Sequence, residues 1–177
     1  MDKNNIKHII NLIKPFLNDD GYNDVVEIAN SLGIKVYDFG FFDRMSDKAS
    51  FIKYNKNNNH YEIYVNNEQS PQRQRFSIAH EIGHYILHKE LIKEKGQIDR
   101  EGKNSIDGKQ ERLADRIASH ILAPTKSVNS FLRDNKADEI KIINGDLLNK
   151  FIKKFNISKS CALIRLRDMG YYVGHLW

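Results

Sequence analysis

Residues 75–88 read Arg75-Phe76-Ser77-Ile78-Ala79-His80-Glu81-Ile82-Gly83-His84-Tyr85-Ile86-Leu87-His88 and contain an H-E-x-x-H arrangement, His80-Glu81-Ile82-Gly83-His84. Just upstream, Ser70 supplies a capping hydroxyl and Pro71 lacks an N–H that a first helical turn would not use, so a helix is predicted from there to about Glu90. With a rise of ~1.5 Å per residue, such a helix sets His80 and His84 about 6 Å apart along one face, where both can hold a single ion. Glu81, one step round, brings a carboxylate beside that ion, in position to take a proton from water.

A catalytic ion of this kind takes three protein ligands and keeps a position for water, so a third ligand is needed. On a continuous helix His88 lies about 12 Å further along than His80, too far to share the ion, and is assigned to packing or hydrogen bonding. Glu111 is the better candidate. It opens a helix predicted over about Lys109 to Leu122, on the face shared with Ala114, Asp115 and Ala118, whose small side chains let that helix approach the H-E-x-x-H helix closely. Asp115, one turn on, is placed to accept the outer N–H of a ligating imidazole, with pairing to Arg112 or Arg116 as the alternative. Asp99, Glu101, Asp107 and His120 are weaker candidates, the first three in a loop and His120 turned away from the Glu111 face.

Working outward, a stripe of Ile6, Ile9, Ile10, Ile13 and Leu17 predicts an amphipathic helix over about Asn5 to Leu17, broken at Pro15. A second helix is predicted over Tyr22 to Leu32 with Val25, Val26, Ile28, Ala29 and Leu32 inward and Gly33 as its stop. Ile34 to Phe39 reads as a strand, and Phe51 to Tyr54 with Tyr61 to Val65 as a hairpin across an Asn/Lys turn. The polar, glycine-containing stretch Lys95 to Lys109 reads as a mobile loop. Further helices are predicted near Lys126 to Arg133, Gly145 to Phe155 and Ser158 to Met169, followed by a short aromatic end.

The chain has 177 residues and a net charge of +5, with 40% hydrophobic residues, 10 Gly and 3 Pro, which fits one soluble globular core and excludes collagen-like or disordered chains. Its one cysteine, Cys161, permits neither an internal disulfide nor a cysteine-rich metal site. No apolar run approaches the ~20 residues that cross a bilayer, and the N-terminal Ile/Leu content is interrupted by Asn, Lys and Asp, so a cytoplasmic protein without membrane association is expected. The charge is not spread evenly. Residues 1–140 balance, whereas 141–177 carry Lys141, Lys150, Lys153, Lys154, Lys159, Arg165 and Arg167 against Asp146 and Asp168, which accounts for the whole excess. With 22 Ile, 19 Lys and 18 Asn, compositional drift in an AT-rich genome explains the same excess without a nucleic-acid partner.

Residues 75–88 resemble the signature R-F-[ST]-x-A-H-E-x-G-H-x-x-L-H of the ImmA/IrrE-type metallopeptidases. Glu111 to Pro124 resembles their second signature, E-x-x-A-[ND]-x-x-A-x-x-[IL]-L-x-P, and the similarity extends from Val26 to Val36 upstream and to Phe155-Asn156-Ile157-Ser158 and Arg165-Leu166 downstream. Two departures stand out: Asp115 replaces the more usual Asn, and the chain ends soon after the peptidase segment, so regulation by an added sensory domain is not expected. The resemblance implies an α+β fold, a mainly helical zincin-like domain with a small sheet of about three strands beside the H-E-x-x-H helix. It also implies one Zn²⁺ on His80, His84 and Glu111, with Glu81 as catalytic base. Residues 1–140 are then the peptidase core and 141–177 a basic, helix-turn-helix-like C-terminal subdomain packed on it.

The expected activity is zinc-dependent endopeptidase cleavage of a helix-turn-helix transcriptional repressor, which would derepress a mobile-element, prophage or stress regulon of a bacterium or phage. The other reading is a non-hydrolytic repressor-binding or DNA-associated module that retains a metal site. Tyr85, Tyr171, Tyr172 and His175 are the available types for stabilising the oxyanion or binding substrate. The strand Tyr61 to Val65 is a candidate for pairing with an extended substrate, the Lys95 to Lys109 loop for a lid, and the basic end for weak DNA contact or repressor docking.

Overall fold

A computed structural model of the chain describes residues 14–16, 23–40, 48–97, 107–137 and 141–174. The predicted N-terminal helix lies outside the described residues except for a 3-10 turn at Lys14–Phe16. The first helix, α1 (Val25–Ser31), is capped by Asp24, whose carboxylate accepts from the Val26 and Glu27 N–H groups. Its buried face is Val25, Ile28 and Ala29 at 3-4 spacing; Val26, expected inward, sits off that face and is 39% exposed. Gly33, at φ +77, turns the chain into β1 (Ile34–Phe39).

β2 (Ser50–Asn55) and β3 (His60–Asn66) form the expected hairpin, and β1 joins to give a three-stranded sheet in the order β1-β3-β2. β1 runs parallel to β3, pairing Ile34 with Tyr61 and Val36 with Ile63, while β2 pairs antiparallel, Ile52 with Ile63. This corrects one expectation. The Tyr61–Val65 strand is central, and both of its edges are occupied, so it has no free N–H and C=O row to offer a substrate. Its nearly continuous burial, from Tyr61 to Ile63 and again at Val65 and Asn66, is the signature of a central strand.

The α2 helix (Pro71–Lys95) crosses the sheet, with Ile78, Ala79 and Ile82 in the same buried cluster as Ile52, Ile63 and Val65. Ser70 caps it as expected, accepting from Arg73 N–H, and Gly96 at φ +83 closes it. It runs five residues past Glu90, with a break in helical geometry at His88 (φ −134, ψ 21), because the Lys89 to Lys95 stretch is rich in good helix formers. Beyond the break the chain returns to the sheet, where Tyr54 N–H donates to the Gly96 carbonyl and Lys53 bridges Gln97. The 98–106 part of the predicted loop, including Asp99 and Glu101, lies outside the described residues.

α3 (Gly108–Leu122) is capped by Asp107 and buries Leu113, Ala114, Ile117, Ala118, Ile121 and Leu122; α4 (Thr125–Asp134) follows Pro124. The last segment holds α5 (Gly145–Phe155), α6 (Lys159–Asp168) capped by Ser158, and a two-stranded parallel pair, β4 (Ile142–Ile143) with β5 (Tyr172–Val173). Strands of two residues carry no periodicity, which is why β4 and β5 have no sequence signal.

The described residues before and after 138–140 share one hydrophobic core, with Phe151, Phe155 and Leu166 in the same cluster as Val25 and Ile82. Two arginines tie the segments together. Arg75, on α2, donates to the carbonyls of Phe155, Asn156 and Asn23. Arg165, with no exposed surface, donates to the Ala123 carbonyl and the Thr125 hydroxyl and sits against His120 Nε2. It is a structural residue and not part of a basic surface. The fold is α+β, mainly helical with a small three-stranded sheet beside the H-E-x-x-H helix, as the resemblance implies. No helix among the described residues is long and apolar enough to cross a membrane.

Candidate metal centre

The approach of α3 to α2 builds the site, and Gly83 permits it. A Cβ built at Gly83 meets Ala114 Cα and O at 3.1 Å and Ala114 Cβ at 3.3 Å, so the helices touch backbone to backbone. That contact lies one turn from Glu111 and carries its carboxylate to the two histidines. His80 Nε2 is 2.9 Å from His84 Nε2 and 3.4 Å from Glu111 Oε2, and His84 Nε2 is 3.2 Å from Glu111 Oε1. Among the described residues these three form the group able to hold a metal ion.

The donor chemistry fits such an ion. A tetrahedral ion bound at ~2.0–2.1 Å places its ligand atoms about 3.3 Å apart; the two imidazole nitrogens are 2.9 Å apart, and each has a different Glu111 oxygen beside it, Oε2 at 3.4 Å from His80 and Oε1 at 3.2 Å from His84. His80 and His84 are buried, and the ligand nitrogens face a carboxylate and one another. Asp115 Oδ1 lies 2.9 Å from His80 Nδ1, so it accepts that N–H and holds the ring with Nε2 towards the centre, where it ligates once its proton has left. Burial opposes charge on His80, but the hydrogen bonds to Asp115 and Glu111 and the charge of Glu81 outweigh it and lift its pKa from 6.5 to about 9. Burial also opposes charge on Glu111, yet hydrogen bonds from His80 and His84 hold its carboxyl far below the usual range. The metal-free site is therefore an imidazolium held between carboxylates, in which a divalent ion takes the place of a proton.

Two expected results follow. Because the His80 proton must leave before the ion binds, divalent-metal affinity should rise by up to about tenfold per pH unit towards pH 9 and level off above it. In the metal-free protein the same raised pKa contributes stability that is complete below pH 6.5 and lost as pH rises through about 9. Chelator competition across pH 6 to 10 checks the first, and thermal unfolding of the metal-free protein over the same range the second; a flat affinity profile would show that the pKa of His80 is not raised. Asp115→Ala should weaken metal binding by about 10- to 100-fold, and Asp115→Asn by less, since an amide oxygen still accepts the Nδ1–H without the charge. Equal affinity in all three proteins would reduce Asp115 to a surface carboxylate.

Glu81 is 5% exposed, on the same helix and outside the three-donor group. Its Oε1 accepts a 2.7 Å hydrogen bond from the Ser50 hydroxyl at the start of β2. Sequence reading did not single out Ser50: it is 31 residues away and belongs to no motif. His88 stays out of the group. Its ring stacks on that of His84 at 5.9 Å, and burial, then the neighbouring His84, lower its pKa. His120 is buried against Arg165 and Asp168, and burial followed by the charges of Arg165 and Arg116 brings its pKa down to about 3. Asp107 is spent on capping α3.

Of the oxyanion candidates, Tyr85 has its hydroxyl engaged elsewhere. The Tyr85 hydroxyl donates to the Leu32 carbonyl and its ring meets Tyr61 edge-on at 4.9 Å, which turns it towards α1 and the sheet. Tyr171 is half-buried after α6, Tyr172 is 77% exposed in β5, and His175 lies outside the described residues.

Over residues 29–167 the chain matches the family described as IrrE N-terminal-like domain, peptidase M78. It is 23% identical over 171 residues to a protein named Metallopeptidase ImmA from Bacillus subtilis (strain 168), an alignment covering 97% of this chain and 91% of that relative. The family match spans both helices whose contact at Gly83 and Ala114 assembles the donor group, and a match over most of the chain places this protein in the ImmA/IrrE family of metallopeptidases.

Proposed function

We propose that this member of the ImmA/IrrE metallopeptidase family is a zinc-dependent endopeptidase that cleaves a helix-turn-helix transcriptional repressor in the cytoplasm. Derepression of a mobile-element, prophage or stress regulon is the outcome. The observation that carries the reading is a buried carboxylate, Glu81, next in sequence to His80 of a three-donor group whose ligand atoms all lie within 4.8 Å of one another. Two imidazoles and one carboxylate are a donor set that zinc accepts, with a position left for water. When bound there, zinc polarises the scissile carbonyl and acidifies water.

The chain's own residues do the rest. Glu81 takes the proton from the attacking water and returns it to the leaving nitrogen, while Asp115 keeps His80 in the tautomer whose Nε2 is free to ligate. An extended substrate is assigned to the Ser50–Ile52 half of β2, beside Glu81, because the Lys53–Tyr54 half is already bridged to Gly96 and Gln97.

The repressor is the substrate class that the family resemblance implies. Lys150, Lys153, Lys154 and Arg167 are exposed on α5 and α6 and form a surface for docking it or for weak DNA contact, to which buried Arg165 adds nothing. The test is incubation of the zinc-loaded protein with a helix-turn-helix regulator encoded beside it, followed by mass spectrometry. A single cut made by wild type is expected. An intact but tightly bound repressor would favour a sequestering module instead.

A further inference from the structure

We propose that Ser50 is a positioning residue for Glu81: its hydroxyl anchors one carboxylate oxygen, leaving the other to exchange the proton. The inference rests on the metallopeptidase reading of the site and adds to it a residue from the sheet. In the 2.7 Å contact the Ser50 hydroxyl is the donor and a carboxylate oxygen the acceptor. A glutamate side chain has three rotatable bonds, and a base must lie within about 3 Å of the proton it takes. With Oε1 tied to β2, Glu81 is held at both ends, by its own helix and by the sheet.

Ser50 can serve as an anchor because its own position is fixed. It pairs with Val65 across the hairpin, and the neighbouring residue, Asn66, clamps the entry to β2. Asn66 N–H donates to the Ala49 carbonyl at 3.0 Å, and Asn66 Nδ2 to the Lys48 carbonyl at 3.4 Å. Asn66 is itself 6% exposed, and its side-chain oxygen accepts from Glu68 N–H. A chain of contacts thus runs from the end of β3 through the start of β2 to the carboxylate on α2.

The experiment uses zinc-loaded full-length protein with Ser50→Ala, Ser50→Thr, Glu81→Gln and the Ser50→Ala/Glu81→Gln double variant. One probe is acetohydroxamate, a chelator whose acidic proton is shared with the carboxylate beside the metal, titrated by calorimetry. The other is a peptide selected from a quenched-fluorescent library by wild-type cleavage. Ser50→Ala should weaken hydroxamate binding about fivefold. It should lower kcat about 10- to 100-fold with KM unchanged, at full zinc content and unaltered unfolding temperature. Ser50→Thr, which keeps the hydroxyl, should recover most of both.

In the Glu81→Gln background, Ser50→Ala should have no further effect, because the residue acts through Glu81. A wild-type response in Ser50→Ala, an undiminished effect in the Glu81→Gln background, or weakened hydroxamate binding in Ser50→Ala while Glu81→Gln binds as wild type would each overturn the proposal. Failure of the underlying reading looks different: wild type cleaves no library peptide, or Glu81→Gln cleaves as fast as wild type. In the first case the hydroxamate arm still decides the role of Ser50.

Discussion

Glu81→Gln is expected to lower peptide turnover by about 100- to 10,000-fold while leaving bound metal at one equivalent, a rise in barrier of roughly 3–5 kcal/mol. Gln has the size and shape of Glu, and its amide oxygen still accepts from the Ser50 hydroxyl, so the 5% exposed side chain keeps its packing. What it loses is the capacity to take a proton. Metal content should not change, because the donor group is His80, His84 and Glu111 and does not include position 81. Atomic absorption and steady-state kinetics on the same preparation separate the two effects. Loss of metal along with activity would make Glu81 part of the ligand set instead of a base.

Substitutions at Gly83 should separate stability from metal binding. In a helix interior Gly costs about 0.8–1.0 kcal/mol relative to Ala, so Gly83→Ala gains that much in propensity. Against it, the new Cβ stands 3.1 Å from Ala114 backbone atoms, and backbone does not swing away as a side-chain tip does, so α3 must move by a few tenths of an ångström. Overpacking of this kind costs about 1–3 kcal/mol, which leaves Gly83→Ala between neutral and about 2 kcal/mol less stable. Metal affinity has no such offset. Glu111 moves with α3 away from His80 and His84, and an affinity loss of about tenfold is expected. Gly83→Val adds two methyl groups at the same contact and a β-branched residue in a helix, so it should lose about 2–4 kcal/mol of stability and nearly all metal binding. Thermal unfolding of the metal-free proteins and chelator competition on the refolded ones check both. Wild-type affinity in Gly83→Ala would show that the crossing at Ala114 does not set the position of Glu111.

Much of this protein was legible in its local sequence. Ser70 with Pro71, Gly33 and Ser158 mark helix ends by short-range hydrogen bonding or backbone freedom, and each does so in the fold, whereas Asp24, the cap of α1, lies inside the helix predicted over Tyr22 to Leu32. The face holding His80 and His84 follows from helical pitch, and the small residues around Ala114 marked the face on which α3 closes. The placement of Val26 failed because a seven-residue helix has room for one narrow buried stripe. Residue type alone marks Tyr85, Tyr171, Tyr172 and His175 as oxyanion candidates and says nothing of where a hydroxyl points; that of Tyr85 donates to the Leu32 carbonyl.

Sequence by itself determined the main helices, the three strands of the sheet, the family and the H-E-x-x-H face, because caps, periodicity and i,i+4 spacing act within a few residues. Tertiary structure alone decided that β3 lies between β1 and β2, that Arg165 is buried, and that Ser50 reaches Glu81. Strand order, burial of a charge and a contact across 31 residues depend on how elements pack against one another. No local pattern encodes that packing, because its free energy comes from surfaces that meet only in the folded chain.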